Sequence, residues 1–410
     1  MRVLWLGDAC CSTGFARCTH TACDALYEAG HEVTVLGVNY FGRPRHGYPY
    51  DIWPPFDPTD HGHDPHGAAR LPSMIERVNP DVVVILNDAW NIPGYLEAIG
   101  AGKNSTSPPP PPVIAWLAAD ARNQIGAGLN GLAHVITWTQ FAVDEFRAGG
   151  YEGESSIVSL GVDHGIFKPQ DRSEARRKAC PAKLPEDAFI VGVVGRNQPR
   201  KRLDLTLAYF SKWITRESID NAYLYLHVAP TGSDGCDLTR LIHYHKLSGR
   251  VVLSNPSVSH GVSDEMLAAI YGSFNVYLTT TQGEGWGLPA LEAMACGIPC
   301  IVPNWSGLGE WTRSAVMKVP CTSTALNAPM NDLAYTIGGV MDEEGAVKAL
   351  GDMYRSEGAR RVYNRAGLKL SSTLSWDRTG SEFVKVLESL DLVAQSDLAT
   401  VLPMERSGGG

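Results

Sequence analysis

The first thirty-eight residues narrow the choice of fold more than any other part of the chain. RVLWLG (residues 2–7) is an unbroken apolar run closing on glycine, the pattern of a strand buried on both faces. A polar, glycine-containing stretch follows, DACCSTGFARCTHTACDALYEAG (residues 8–30), which reads as a loop and then a helix ending near Gly30. A second apolar run, HEVTVLGV, occupies residues 31–38. Strand, loop, helix and strand in that order form the starting unit of a doubly wound parallel sheet.

The pattern continues and then begins again. DVVVIL (81–86), PVIAWLAAD (112–120) and HVITWT (134–139) read as further strands with helical stretches between them. GVDHGIFKPQ (161–170) reads as an exit from the first domain, and the charged, proline-containing segment 171–188 as a linker. A second alternation offers strands at FIVGVVG (189–195), AYLYLHVA (222–229), RVVLSN (250–255), VYLTTT (276–281) and PCIVPN (299–304). SDEMLAAIYGSF (263–274) reads as a helix with a Ser/Asp start. The expected architecture is α/β with two Rossmann-like domains, residues 1–170 and 171–375. A helix over 376–395 is expected to pack back on the first domain, and a flexible tail to follow over 396–410. Ligands of such sheets bind beyond the C-terminal strand ends, so the cleft between the domains is the expected site.

Composition excludes several classes. Of the net charge of −9, nearly all lies in residues 1–170, with 10 Lys and Arg against 18 Asp and Glu; residues 171–410 hold 25 against 26. The first half is a poor default partner for phosphate backbones or anionic lipid. Nine cysteines, an odd number without a CxxC pair, indicate neither a zinc ribbon nor a disulfide framework, and favour a reducing cytoplasm. The apolar opening reads as a strand, not a signal peptide, and no run approaches the length of a membrane span. STSPPPPPV (105–113) reads as a stiff loop insertion.

The chemistry concentrates in GEGWGLPALEAMACG (283–297). Glu284 falls in a loop after a strand, and Glu292 in what reads as the first turn of a helix. Gly285 and Gly287 let the backbone approach a ligand closely, Pro289 suits a helix start, and Gly297 suits its end. The helix start offers free N–H groups and a positive dipole end to phosphate. Carboxylates beside an anion site make sense when the ligand also carries hydroxyls, because an ionised carboxylate only accepts and a vicinal diol donates twice. A nucleotide sugar combines a diphosphate, a ribose diol and a hydroxylated sugar. The plainer alternative makes Glu292 a helix-terminus charge and Glu284 a solvated loop residue; the surrounding strand, turn, proline and small-residue helix favour function.

This stretch resembles the acidic-x7-acidic motif of retaining glycosyltransferases of the GT-B fold, glycosyltransferase family 4 (glycosyl transferases group 1), with Trp286 where Phe is commoner. The resemblance implies two Rossmann-like domains facing across a cleft, the first binding acceptor and the second binding donor. It implies Glu284 near the donor-sugar hydroxyls, Glu292 on the ribose diol, and Gly285, Trp286, Gly287 and Leu288 in the donor site. VVGRNQPRKRLDL (193–205) resembles the family's V-G-R-x4-K stretch, giving Arg196 and Lys201 as cations for the diphosphate; a solvated basic loop is the alternative. Such cations stabilise the leaving group, so no metal or other cofactor is expected. Arg202 stands where the family usually has Gly. GVDHGIFKP resembles the interdomain signature, and SGLGEW (306–311) a segment whose Glu310 contacts donor or acceptor, or caps a helix.

In the first half, CSTGFAR (11–17) resembles the family's first loop, with Gly14 closest to the diphosphate and Arg17 aiding the phosphates or the acceptor side. Relatives often place a His-Asp pair after the fourth strand. Here Ala119 replaces the His, and Asp120 remains to orient the sugar, help take the acceptor proton, or cap the next helix. Asp88 and Trp90 in NDAWN (87–91) are further acceptor-side candidates. HGHDPH (61–66) invites a metal reading, but without a helix or hairpin frame it reads better as an acceptor-side loop beside RPRHGYPYDIWPPFD (43–57).

The expected function is transfer of a sugar, with retention and without metal, from a nucleotide sugar to a hydroxyl acceptor. UDP is the default base, with GDP and ADP as alternatives. A small molecule, glycan or protein is favoured as acceptor over nucleic acid. The rivals are a glycoside hydrolase, a non-catalytic nucleotide-sugar binder, and a phage-type glycosyltransferase acting on hydroxymethylated DNA bases.

Overall fold

The computed structural model describes residues 1–42, 47–56, 64–101, 109–180, 184–229, 235–254, 261–327 and 335–390. The first sheet contains β1 (Arg2–Asp8), β2 (Glu32–Val38), β3 (Asp51–Trp53), β4 (Val82–Leu86), β5 (Val113–Leu117), β6 (His134–Thr137) and β7 (Ser155–Ile157). Their spatial order is β3-β2-β1-β4-β5-β6-β7 and every pairing is parallel. The second sheet contains β8 (Phe189–Val194), β9 (Ala222–His227), β10 (Val251–Ser254), β11 (Val276–Leu278), β12 (Cys300–Pro303) and β13 (Met317–Val319). Its order, β10-β9-β8-β11-β12-β13, repeats the topology of the first, again all parallel. An antiparallel hairpin, β14 (Cys321–Leu326) with β15 (Ile337–Met341), extends from the second domain.

Helices cover both faces of each sheet, so the central strands are apolar throughout. Every residue of β4 and β5 is buried. In each sheet the chain reverses direction of winding beside the first strand, at β1/β4 and at β8/β11, and a crevice opens beyond the strand ends there. Short polar side chains start the helices that flank these crevices. Thr13 Oγ1 accepts from the Ala16 amide at 2.9 Å ahead of helix Gly14–Glu28, and Ser263 Oγ accepts from Met266 at 3.2 Å ahead of Asp264–Gly272.

The chain crosses between domains twice. After the first crossing, the segment 171–188, expected as a linker, carries a helix over Arg172–Ala179, capped by Asp171 and packed on helix Asp264–Gly272. Its apolar positions are two alanines, which is why the charged sequence hid it. The second crossing delivers helix Trp376–Ser389 onto helix Gly14–Glu28. Phe383 inserts there between Trp5 and Trp116, with ring centroids 5.4 and 4.9 Å apart. Thr379 Oγ1 donates to the Ser159 carbonyl at 2.8 Å, tying the two crossings together. One apolar core consequently runs from the first sheet, through the crossings, to helices Asp264–Gly272 and Leu288–Ala295.

β3 lies in what reads from sequence as an aromatic, proline-rich loop. Residues 61–63, 102–108 and 391–410, on which the metal reading, the polyproline insertion and the tail fall, lie outside the described residues. Among the described residues no helix is long and apolar enough to cross a membrane.

Candidate active site

The strand ends of the two sheets face each other, and charged side chains gather where they meet. Glu284 sits on the loop after β11. Lys201 Nζ and Arg200 Nη1 both donate to its carboxylate, the arginine at 3.2 Å, and Arg200 Nη1 also reaches the Gly283 carbonyl at 2.8 Å. From the opposite domain Asp120, beyond β5, pairs with Arg200 Nε at 3.3 Å. Arg200 thus joins the two domains through two carboxylates. Burial works against the ionised form of Glu284, but Lys201 and Arg200 outweigh it and hold the carboxyl at about 2. Burial likewise opposes the charge on Arg200, and Glu284 and Asp120 more than compensate. Lys201 titrates below its ordinary range because burial, with Arg200 beside it, outweighs the attraction of Glu284.

The local backbone is forced. Pro199–Lys201 forms a single 3-10 turn, and Arg202 follows with φ +50° in the left-handed region. A side chain there costs roughly 1–2 kcal/mol. Asp204, which accepts from Arg202 Nη2 at 2.9 Å, and Thr280 Oγ1, which donates to the Arg202 carbonyl at 2.8 Å, hold the turn. This is the position where Gly is usual among the proteins the sequence resembles.

Glu292 lies in the second turn of helix Leu288–Ala295, one turn later than the sequence suggests. Tyr271 Oη donates to its Oε2 at 2.8 Å, and Arg17 Nη1, from the other domain, to its Oε1 at 3.4 Å. Arg17 Nη2 also donates to both Asp264 oxygens at 2.7 Å. Burial pushes the Glu292 carboxyl up to about 7; Arg17 and Tyr271 restrain the rise and Asp264 adds to it. Asp88, beyond β4, is pushed up to about 7 by burial and then by Asp120, against the pull of Arg200. Asp8, at the end of β1, accepts from Thr13 Oγ1 at 2.6 Å and Asn39 Nδ2 at 2.9 Å.

Arg196 stands apart from the Glu284 cluster. It is exposed and makes no ion pair among the described residues. Its charge is felt across the cleft at the Cys11 thiol, whose pKa burial and Asp8 raise while Thr13 and Arg196 oppose the rise. Trp90 is half-buried in the 3-10 turn Ala89–Asn91.

The small residues of the loop face the other domain. A Cβ on Gly283 would lie 1.7 Å from the Asp120 carbonyl oxygen, and one on Gly285 2.9 Å from the Ala118 Cβ and 3.1 Å from the Trp138 ring. A Cβ on Gly14 would meet Leu288 at 3.2 Å. Gly287, with φ +86°, turns the chain into the helix. Trp286 is buried and stacks on Trp311 at 4.5 Å and 7°. Glu310 caps a helix of the facing domain, Gln140–Ala148, accepting from the Gln140 and Phe141 amides at 3.0 and 2.5 Å. The hairpin completes the closure. Arg122 and Ile337 exchange backbone hydrogen bonds of 3.0 and 2.9 Å, and the Arg122 guanidinium lies over the Trp305 ring at 4.7 Å.

Sequence reasoning passed over Arg200, Asp8, Asp264 and Tyr271. Arg200 is one of four cations in RNQPRKR, and nothing local distinguishes the one that turns inward. Asp8, the polar residue closing the first apolar run, carried a usable signal.

Two parallel-sheet α/β domains that share a six-strand order, extended by β7 in the first, joined by a returning C-terminal helix and meeting at their strand ends, define the GT-B class of glycosyltransferases. Sucrose-phosphate synthase from Thermosynechococcus elongatus superposes with a TM-score of 0.72 at 17% identity, covering 95% of this chain and 99% of that one. Anabaena HepE in complex with UDP-glucose gives a TM-score of 0.67 at 14% identity, covering 95% and 100%. The family described as Glycosyl transferases group 1 matches residues 176–333, and the one described as Glycosyltransferase Family 4 matches residues 12–165. The chain belongs to the family 4-like GT-B glycosyltransferases. D-inositol 3-phosphate glycosyltransferase 2 of Catenulispora acidiphila is 29% identical over 213 residues, 52% of this chain and 48% of that protein. The D-inositol 3-phosphate glycosyltransferase of Geodermatophilus obscurus is 33% identical over 165 residues, 40% and 36%. The chain spans about half the length or less of these curated relatives.

Proposed function

We propose that the chain transfers a sugar from a nucleoside-diphosphate donor to a hydroxyl acceptor, with retention at the anomeric carbon and without a metal ion. The observation that carries this reading is the convergence of Glu284, Arg200, Lys201 and Asp120 from both domains where the two sets of strand ends meet. In this reading the second domain holds the donor. Glu284 accepts from the sugar hydroxyls, and Glu292 from the ribose diol. Lys201, Arg196 and the amides heading helix Leu288–Ala295 take the diphosphate. Lys201 then exchanges part of its attraction to Glu284 for the phosphate charge that grows as the bond breaks, which replaces a metal.

The acceptor enters from the side of Asp88, Trp90 and Asp120. The acceptor oxygen bonds to the anomeric carbon as the bond to phosphate breaks on the same face, and the acceptor proton passes to the leaving phosphate oxygen. Asp88 and Asp120 orient the acceptor hydroxyl. Domain closure excludes water, so hydrolysis is suppressed. The UDP-glucose bound by Anabaena HepE supports UDP as the first base to try, and the inositol phosphate in the names of the curated relatives supports a small polyol acceptor. Nine free thiols, four of them buried, favour a reducing compartment.

A panel of UDP-, GDP- and ADP-sugars, scored by nucleotide release and thermal shift, tests the reading. One donor class is expected to stabilise the protein, Glu292→Ala and Lys201→Ala to abolish that shift, and EDTA to leave turnover unchanged. Proton NMR of the product is expected to show the donor's anomeric configuration. Sugar release without any nucleotide would make the protein a hydrolase, and tight nucleotide binding without turnover on any acceptor would make it a binder.

A further inference from the structure

We infer that Arg17, acting across the cleft, is the positioning residue that keeps Glu292 able to accept both hydroxyls of a nucleotide ribose. The inference rests on the reading of Glu292 as the ribose-holding group.

Arg17 lies one turn into helix Gly14–Glu28, whose start is fixed by the Thr13 cap. Asp264 aims it: both Asp264 oxygens accept from Nη2, which leaves Nη1 directed at Glu292 Oε1. The titratable groups that act on Glu292 are Arg17 from the first domain, Asp264 and Tyr271 from helix Asp264–Gly272, Tyr277 from β11, and Cys296 one turn further along its own helix. Arg17 is the cation of this set among the described residues; the others are neutral or acidic. Tyr271 supplies one neutral hydrogen bond, and Asp264 adds a like charge.

Without Arg17 the buried Glu292 faces the partly exposed Asp264 and no cation, and the cheapest relief is a proton on Glu292. A protonated carboxyl donates through one oxygen and loses the two-acceptor face that a cis diol requires. Because Glu292 already titrates at about 7, loss of one favourable charge removes its ionised form at neutral pH. Arg17 belongs to the domain opposite Glu292, so the ribose contact is complete only when the cleft is shut.

Calorimetric binding of UDP, GDP and ADP, each beside its 2′-deoxy counterpart, tests the inference on wild type, Arg17→Gln, Arg17→Lys and Glu292→Gln between pH 6 and 8.5. The nucleotide that binds wild type best is expected to exceed its deoxy form by about tenfold, the worth of one strong hydrogen bond. Arg17→Gln should erase that ratio at pH 7 and recover part of it at pH 8.5, with the deoxy form held as in wild type. Arg17→Lys should retain it. If Arg17→Gln weakens ribo and deoxy forms alike, Arg17 serves the phosphates or the fold and the inference is wrong; an unchanged ratio overturns it equally. If Glu292→Gln keeps the ratio, the ribose reading of Glu292 falls and takes the inference with it. A ratio lost in Glu292→Gln but kept in Arg17→Gln overturns the inference alone. Failure of all three nucleotides to bind overturns both.

Discussion

The loop after β11 and the helix that follows it carry one glutamate each, eight residues apart, and their surroundings treat them in opposite ways. Glu284 meets two cations of its own domain, Arg200 and Lys201, and stays ionised down to about 2 despite burial. Glu292 meets one cation, lent by the other domain at 3.4 Å, and burial carries it up to about 7. Burial is the largest influence on both, so it does not explain the difference. The number and closeness of cations does. The loop glutamate therefore behaves as a fixed charge, and the helix glutamate as one that depends on whether the domains have met.

The sharpest break in this contrast is Glu284→Ala, which takes the ion-pair partner of Lys201 and leaves Arg200 with Asp120 alone. Stripping one partner from a buried charge cluster costs about 3 kcal/mol, read as a lower urea midpoint at pH 7; a loss under about 1 kcal/mol would mean that water screens the cluster. In wild type the stability that Glu284 supplies is present above its unfolded value near 4.5 and is lost as pH falls toward 2. Glu292→Gln should act with the opposite sign. Wild type loses stability as pH rises from 4.5 through about 7, because the unfolded chain releases the Glu292 proton first. The Gln variant lacks that slope and should be the more stable above pH 7 by roughly 2 kcal/mol. Parallel pH profiles for the two proteins would remove the distinction between the glutamates.

Gly283→Ala tests the domain contact itself. Its Cβ would collide with the Asp120 carbonyl, so Arg200 could no longer join Asp120 to Glu284 in the closed form. Turnover is expected to fall at least about tenfold, equal to 1.4 kcal/mol of barrier, with a larger radius of gyration by solution scattering. The smallest effect is expected from Glu310→Ala, which leaves the Thr139 cap of helix Gln140–Ala148 in place but removes the acceptor of its first two amides, at a cost of about 1 kcal/mol, read as a lower melting temperature.

The sequence was legible wherever burial imposed a pattern. All ten apolar runs read as strands contain strands, because sheets covered on both faces demand continuous apolar residues. The strands it missed are short or at edges. β3, β7 and β13 have three residues each, as β11 does, but they are edge strands with at most one buried residue, so no apolar run marks them. β14 is mostly exposed, with two threonines and a serine in its six residues, and β15 carries two glycines at its centre. The site was legible as a motif and illegible as a network. Glu284 and Glu292 stand out in their turn, but the partners of Arg17 lie 247 and 275 residues away in the chain. Only the closed packing of two domains brings them together.

The joint between Arg122 and Ile337 is made of main chain alone, and this has a practical consequence. Their two amide protons are hydrogen-bonded across the gap, so each becomes free to trade with solvent deuterium when the lobes part. The molecule thus carries a built-in gauge of its own opening. The rate at which label enters those two positions reports the fraction of time the jaws stand apart, and its slowing on addition of a nucleotide measures, without any assay of chemistry, how firmly that ligand draws them together.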